Sequence, residues 1–258
     1  MSDLYQKSIV KLELDRVLSM LAEYAESAEG KNACMVLKPS SDLEEVCFMQ
    51  KETTAASVLC TQKGNPVFSG MKDVGSSVER ANMGGCLQPK ELLEIGGVLR
   101  CARSVKAYGD DITNESVLYP LFASLRPNKF FEDNIFGAII SEEEIADTTS
   151  PELADIRRHM RIQSGKIKDS LQKIITSATY AKYLQESIIT IRQGRYVVPV
   201  KSEHKNDIPG LVHDVSSTGS TYFIEPMSAV NANNALRELE LQEKKEIERI
   251  LSELSAQV

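Results

Sequence analysis

Tryptophan is absent from this chain of 258 residues, and aromatic residues make up only 6% of it. With so few rings, and with Leu, Ile, Ala, Glu and Lys abundant, the composition favours helix. Cysteine is sparse too. Cys34, Cys47, Cys60, Cys86 and Cys101 form no C-x-x-C pair and have no His pair nearby, which excludes the usual zinc-ligand spacings. Their odd number suits a reducing compartment, and Cys47 and Cys60, among apolar neighbours in a helical pattern, read as small buried thiols. No apolar run reaches the ~18 residues of a membrane span, and no charged-then-apolar leader opens the chain. A soluble, cytoplasmic protein without membrane contact is therefore expected. The formal charge of −7 argues against a protein that coats nucleic acid with its whole surface, but permits a local contact.

Catalytic signatures are missing as well. There is no phosphate-binding G-x-x-x-x-G-K-[ST]: Gly165-Lys166 is followed by Ile167 and preceded by Met160 inside a helical pattern. No G-x-G-x-x-G appears, nor any recognisable nuclease cluster. His213-Asp214, close to Ser216, Ser217 and Ser220, does not read as a triad, because strand neighbours point to opposite faces and triads are assembled from separated elements. His159, His204 and His213 lack ligand spacing for a metal. No catalytic residue, cofactor site or metal site is expected in this chain.

What is present is helical periodicity. Ser150-Pro151-Glu152 is a helix start, with Ser150 as N-cap and Pro151 in the first turn, where its missing N–H costs nothing. Leu153, Ile156, Met160, Ile167, Leu171, Ile174 and Ala178 then recur at spacings of three and four, with Ser164 as a polar gap. That stripe predicts a helix of roughly 28 residues, ~40 Å long. A second long helix begins near Pro226, with Val230, Leu241, Ile247, Ile250, Leu251 and Leu254 on its apolar face and Glu243, Lys244, Lys245, Glu246 and Glu248 on the rest. Such helices are marginal alone and need a partner stripe.

Between them lies a β-patterned insert from about Ser187 to Pro226, its β-branched and aromatic residues cut by turn formers. Gln193-Gly194 is a hairpin turn, Pro199 marks an edge position, Lys201–Pro209 is a polar loop, and Ser217-Thr218-Gly219-Ser220 is a second tight turn. Two helical arms carrying a β tip describe a device that reaches out and holds something, a better account than a plain helical hairpin in a bundle. Between Lys182 and Pro209, Lys182, Arg192, Arg195, Lys201 and Lys205 outnumber Glu186, Glu203 and Asp207 in a chain that is otherwise acidic. These five cations are the candidate nucleic-acid contacts, made to phosphates and insensitive to sequence. An ordinary solvated loop, or a tip that docks on a protein along the strand bordered by Pro199, is the alternative.

The first half reads as a helical base. Leu14, Val17, Leu18, Leu21, Ala22 and Ala25 outline one helix, and Ser41-Asp42-Leu43-Glu44 is a capping box opening another that carries Val46, Met49, Ala56 and Leu59. Gly84-Gly85 ends a short helix and Pro89 opens the next, inside which Gly96-Gly97 implies either close packing or a kink. Short helices follow at 117–125 and 130–140, then a polar stretch, 141–150, that reads as an exposed joint. The expected organisation is mainly α: a helical core domain over 1–149, and over 150–258 antiparallel lever helices with a small antiparallel β tip, its strands within about 187–226.

Several blocks carry a family resemblance. They are Tyr180-Ala181-Lys182-Tyr183-Leu184-Gln185-Glu186, Gly194-Arg195-Tyr196-Val197-Val198-Pro199-Val200-Lys201, Pro209-Gly210-Leu211-Val212-His213-Asp214, and Phe223-Ile224-Glu225-Pro226 followed by Asn233-Asn234. Leu12-Glu13-Leu14-Asp15, Pro39-Ser40-Ser41-Asp42 and Gly84-Gly85-x-Leu87-x-Pro89 agree. Together they resemble the second type of bacterial MutS homologue, the MutS-two family, linked to suppression of recombination and to rescue of collided ribosomes. The resemblance implies a core, lever and clamp region alone. By the same resemblance the parent is a homodimeric hydrolase, with ATP and magnesium in an ATPase domain and an Smr-type nuclease domain, both missing here. It further implies branched DNA or ribosomal RNA as partner. With the dimerising ATPase absent, this chain is expected to be a monomer or weak dimer, its arms swinging about the joint near Ser141–Ser150.

Overall fold

In the computed structural model, which describes residues 3–258, helix ends are set by the local chemistry of the chain. The first unit holds residues up to Ala146 together with Leu251–Val258. Its elements are α1 (Asp3–Lys11), α2 (Leu14–Ala22), α3 (Ala28–Met35), α4 (Leu43–Lys63), α5 (Gly75–Asn82), α6 (Pro89–Tyr108), α7 (Tyr119–Ser124) and α8 (Lys129–Ala138), then a hairpin of β1 (Ile139–Ser141) and β2 (Glu144–Ile145). The cap of α4 sits one residue later than the capping box expected. Asp42 accepts from the amides of Glu44 (2.9 Å) and Glu45 (3.2 Å), so its carboxylate, not Ser41, satisfies the orphan donors. The stretch read as a joint is partly ordered by the β1–β2 pairing, with Ile145 buried and Glu142 and Glu143 exposed at its turn.

The core of this unit gathers around α6 and α8. Leu87, Leu92, Ile95, Phe131, Ile135, Ile139 and Ile145 are buried together with Leu251 and Leu254. The buried amide of Leu87 donates to the Ser255 hydroxyl at 2.8 Å. The Gly96-Gly97 pair answers to close packing, not to a kink, since α6 runs unbroken from Pro89 to Tyr108. A Cβ on Gly96 would lie 2.9 Å from the Phe136 ring, and one on Gly97 would lie 3.1 Å from the Gly70 carbonyl oxygen. Buried Glu132 accepts from Arg100 (3.0 Å) and Arg103 (2.8 Å), and these hydrogen bonds, Arg103's above all, hold its carboxyl at about 2. The thiol expectation is corrected here: Cys47 is exposed and Cys60 half-buried, whereas Cys101 is the buried one. The cause is that α2, α3 and α4 bury no residue, and their apolar faces, Val17 and Met49 among them, stay open.

The second unit, Asp147–Ile250, begins with a 3-10 turn at Asp147–Thr149. It contains α9 (Pro151–Ile175), a four-stranded sheet, and α10 (Met227–Ser255) as far as Ile250. The strands are β3 (Thr190–Arg192), β4 (Arg195–Lys201), β5 (Gly210–Val215) and β6 (Thr221–Pro226), antiparallel in the order β3-β4-β6-β5. The chain is thus mainly α with a small antiparallel β part. Ser150 caps α9 through the Leu153 amide at 3.0 Å. Hydroxyls of Ser170 and Ser228 meet at 2.9 Å, Arg157 reaches Glu243 at 2.6 Å, and Ser150 donates to Glu246 at 2.7 Å, an order that makes the two arms antiparallel. Ile167 and Leu171 of α9 and Ala229 and Leu236 of α10 close over Val198, Val200 and Ile224 of the sheet. On α10 two expectations fail. Leu241 is 52% exposed, while Glu246 is buried with its carboxylate bound by Arg249 and, to a smaller degree, Ser150, which hold it at about 2.

Candidate nucleic-acid interface

The tip is built on one hairpin turn. Gln193 and Gly194 both adopt positive φ (50° and 74°), the arrangement whose twist matches the flanking strands. Strand alternation then sends Tyr196, Val198 and Val200 toward the arms, where the Tyr196 hydroxyl meets Ser164 at 3.0 Å. The polar gap in the α9 stripe is thereby filled. The side-chain amide of Asn233 clasps the same residue twice, accepting from the Tyr196 N–H and donating to its carbonyl, each at 3.2 Å.

Pro199 does not mark an edge strand. β4 is an inner strand, and β3 pairs with it only as far as Val197. Beyond that point the Gln185 N–H reaches the Pro199 carbonyl at 2.9 Å, and Leu184 bridges to Val200. The proline's missing donor therefore faces a side where the regular ladder has ended. The edges of the sheet are β3 and β5. The polar loop after Lys201 is tighter than expected: it contains a 3-10 turn at Ser202–His204, and Ile208 is buried.

The five candidate cations divide between the two ends of the sheet. Arg195 and Lys201 bound β4, six residues and roughly 20 Å apart at strand rise. At the hairpin end Arg195 is enclosed: one guanidinium nitrogen donates to both oxygens of Glu225 (2.9 and 3.1 Å) and another to Asn234 (2.7 Å). Glu225 is fully buried and also meets His213 Nε2 at 2.5 Å. Arg192 lies 3.5 Å from Asp214 and 4.2 Å above the Phe223 ring. Both arginines are thus matched by carboxylates within the tip.

At the loop end the stretch that bears Lys182 joins the one that bears Lys201 and Lys205. Lys201 donates to the carbonyl of Lys182 at 3.1 Å, leaving two further ammonium donors. Lys182 lies 5.0 Å from the Tyr183 ring centre and Lys205 5.6 Å from that of Tyr222. The rings of Tyr183 and His204 approach to 4.7 Å. Lys182 and Lys205 are exposed and Lys201 half-buried. The same segments carry Glu186, Glu203 and Asp207, the last bound to His204 at 2.7 Å, so the excess of positive charge counted along the sequence is not concentrated here. Sequence reasoning gave Tyr183, Asn233 and Asn234 no role in the site, although all three stand in the blocks that carry the resemblance. Among the described residues no cluster of His, Cys, Asp and Glu could hold a metal, and no helix is long and apolar enough to cross a membrane.

No family model matches the chain. It is similar to proteins named Endonuclease MutS2: 46% identical over 247 residues in Ruminiclostridium cellulolyticum, covering 95% of this chain and 31% of the relative. In Acetivibrio thermocellus the identity is 42% over 257 residues (98% and 32%), and in Clostridium acetobutylicum 45% over 254 residues (97% and 32%). The chain spans about a third of the length of the curated relatives it matches.

Proposed function

We propose, for a chain that is a MutS2-like segment along nearly its whole length, that it holds nucleic acid by the sugar–phosphate backbone at the loop end of its β tip. The observation that carries this reading is the hydrogen bond from Lys201 to the Lys182 carbonyl, which joins the stretch that bears Lys182 to the one that bears Lys201 and Lys205 and leaves ammonium donors for phosphate oxygens. The arms make no chemical step. They position the tip, through Asn233 on β4 and through the hydrophobic contact of α9 and α10 with the sheet. Hydrolysis of ATP with magnesium and strand cleavage belong, in this proposal, to other parts of the longer protein. Branched DNA and ribosomal RNA both offer the required backbone.

Three phosphate contacts give a log–log salt slope of about −2 to −3, depending on whether the strand is single or double. The test is fluorescence anisotropy of a labelled four-way DNA junction and of a ribosomal RNA fragment, titrated at rising KCl. Neutralising Lys182, Lys201 and Lys205 to Gln removes most of the slope, whereas Arg192→Gln leaves it unchanged. An unchanged slope in the triple variant refutes the assignment.

One observation favours a second reading. β5 is an edge strand and exposes Leu211 (47%), Val212 (50%) and Val215 (41%), as a strand that pairs with a peptide would. A bulge between Val212 and Asp214 interrupts that edge, a feature that guards against such pairing. Salt-insensitive binding of a protein, with none of nucleic acid, would establish this reading instead.

A further inference from the structure

We infer that the hydroxyl-bearing turn between β5 and β6 is a phosphate-contact element in its own right, acting through hydrogen bonds and not through net charge. The inference rests on the nucleic-acid reading above and deepens it. Its starting point is the charge balance at the loop end. Lys182, Lys201 and Lys205 share their segments with Glu186, Glu203 and Asp207, so long-range attraction is weak there and neutral donors must supply much of the hold.

The register brings those donors to the same end. Thr221 pairs with Lys201, and the Ser202 amide donates to the Ser220 carbonyl at 3.0 Å, fixing the turn beside the lysine-bearing strand end. Gly219, at φ 71°, lets the chain reverse within a few residues. Inside the turn the hydroxyls form a chain. The Thr221 N–H donates to Ser216 Oγ at 3.0 Å, Ser216 lies 3.4 Å from Thr218 Oγ1, and Thr218 lies 2.7 Å from Ser220 Oγ.

Each hydroxyl has one proton and two acceptor sites. Because the backbone donates into Ser216, the chain can run Ser216 to Thr218 to Ser220, and the proton left over is that of Ser220, which is exposed. Successive donors polarise one another, so the terminal hydroxyl of such a chain is a better donor than an isolated serine. A phosphate oxygen at Ser220 selects that direction, with Lys201 close by to accept part of the charge. The run of Ser and Thr that fails as a catalytic triad is thereby given a role its spacing suits.

The experiment separates hydrogen bonding from charge. Binding of the full chain to a labelled four-way DNA junction and to a ribosomal RNA fragment is measured between 50 and 300 mM KCl, roughly the range over which counterion release is resolved. Thr218→Val and Ser220→Ala are combined, and Ser216, which holds the Thr221 amide, is left intact. The expected result is a loss of about tenfold in affinity at every salt concentration with the slope unchanged, the size of a hydrogen bond to a charged group. Ser217→Ala, outside the hydroxyl chain, keeps wild-type affinity, and unchanged exchange of the β6 amides shows that the turn remains folded. Wild-type affinity in the double variant overturns this inference and leaves the lysine assignment standing. A wild-type chain that binds neither the junction nor the ribosomal RNA fragment overturns the nucleic-acid reading itself, and this inference with it.

Discussion

Arg195→Ala separates the two roles open to a cation in the tip. If Arg195 contacts phosphate, its removal weakens binding and hardly alters stability. The geometry assigns it the other role, as the counter-ion of Glu225, whose side chain has 0% exposure. Removing the guanidinium deletes two bonds to that carboxylate and one to Asn234, leaving Glu225 with His213. Breaking a buried pair in this way costs about 3–5 kcal/mol. Arg195 is itself 25% exposed, so water can enter and the lower end of that range applies. The two units described above make a single two-state unfolding curve an unsafe readout. Amide hydrogen exchange of β4 and β6 reads the loss locally, and about 3 kcal/mol corresponds to exchange roughly a hundredfold faster or more. Replacing the pair together, Arg195→Met with Glu225→Leu, should recover most of the protection, since no uncompensated charge remains. Exchange within threefold of wild type in Arg195→Ala would refute this reasoning and return Arg195 to the candidate phosphate contacts.

Further outcomes follow from particular packing and charge. Gly96→Ala gains about 1 kcal/mol of helix propensity but drives a Cβ to 2.9 Å from the Phe136 ring, an overpacking of about 1–3 kcal/mol, so amide hydrogen exchange of α6 should show net loss of protection. Gly165→Ala, where nothing lies within 4 Å, should instead stabilise by up to ~1 kcal/mol. Glu91, Glu132 and Glu246 are held at about 2 by Arg80, Arg103 and Arg249 respectively, each below an ordinary 4.5. Carboxylates lowered on folding contribute stability that is complete above the ordinary value and lost as pH falls through the folded one. Acid titration followed by circular dichroism should therefore show stability declining between about pH 4.5 and pH 2, and a flat profile there would contradict these pairings. Sedimentation at micromolar concentration should show a monomer, because Ile167 and Leu171 of α9 and Ala229 and Leu236 of α10 are already buried against the sheet of their own chain. A tight dimer would instead assign the open apolar faces of α2–α4 as an interface.

Much of the second unit was legible because its determinants are local. Ser150-Pro151 starts α9, the Leu153–Leu171 stripe is buried, and Gln193-Gly194 turns β3 into β4, all decided by neighbours in sequence. The misreadings share a different origin. Pro199 looked like an edge residue because nothing local says that β3 is too short to reach it. Glu246 looked solvated because Ser150, its donor, lies 96 residues away; the partners of Arg195 were likewise out of sight, since Glu225 and Asn234 arrive from other elements. Charge counted along the segment Lys182–Pro209 merged two groups that the sheet holds at opposite ends. In the first unit, periodicity located helices but could not tell which apolar faces would be covered, as the exposure of Val17 and Met49 illustrates.

Nucleic acid bound as proposed lies against the loop end of the tip, beside Lys205. A photo-crosslinking residue placed at position 205 tests this placement most directly, with a second at position 193 in the hairpin turn at the other end of the sheet. With a labelled four-way DNA junction or ribosomal RNA bound, crosslinks are expected from position 205 and none above background from position 193. Crosslinks from 193 alone, or from neither position while the complex is intact, would contradict it.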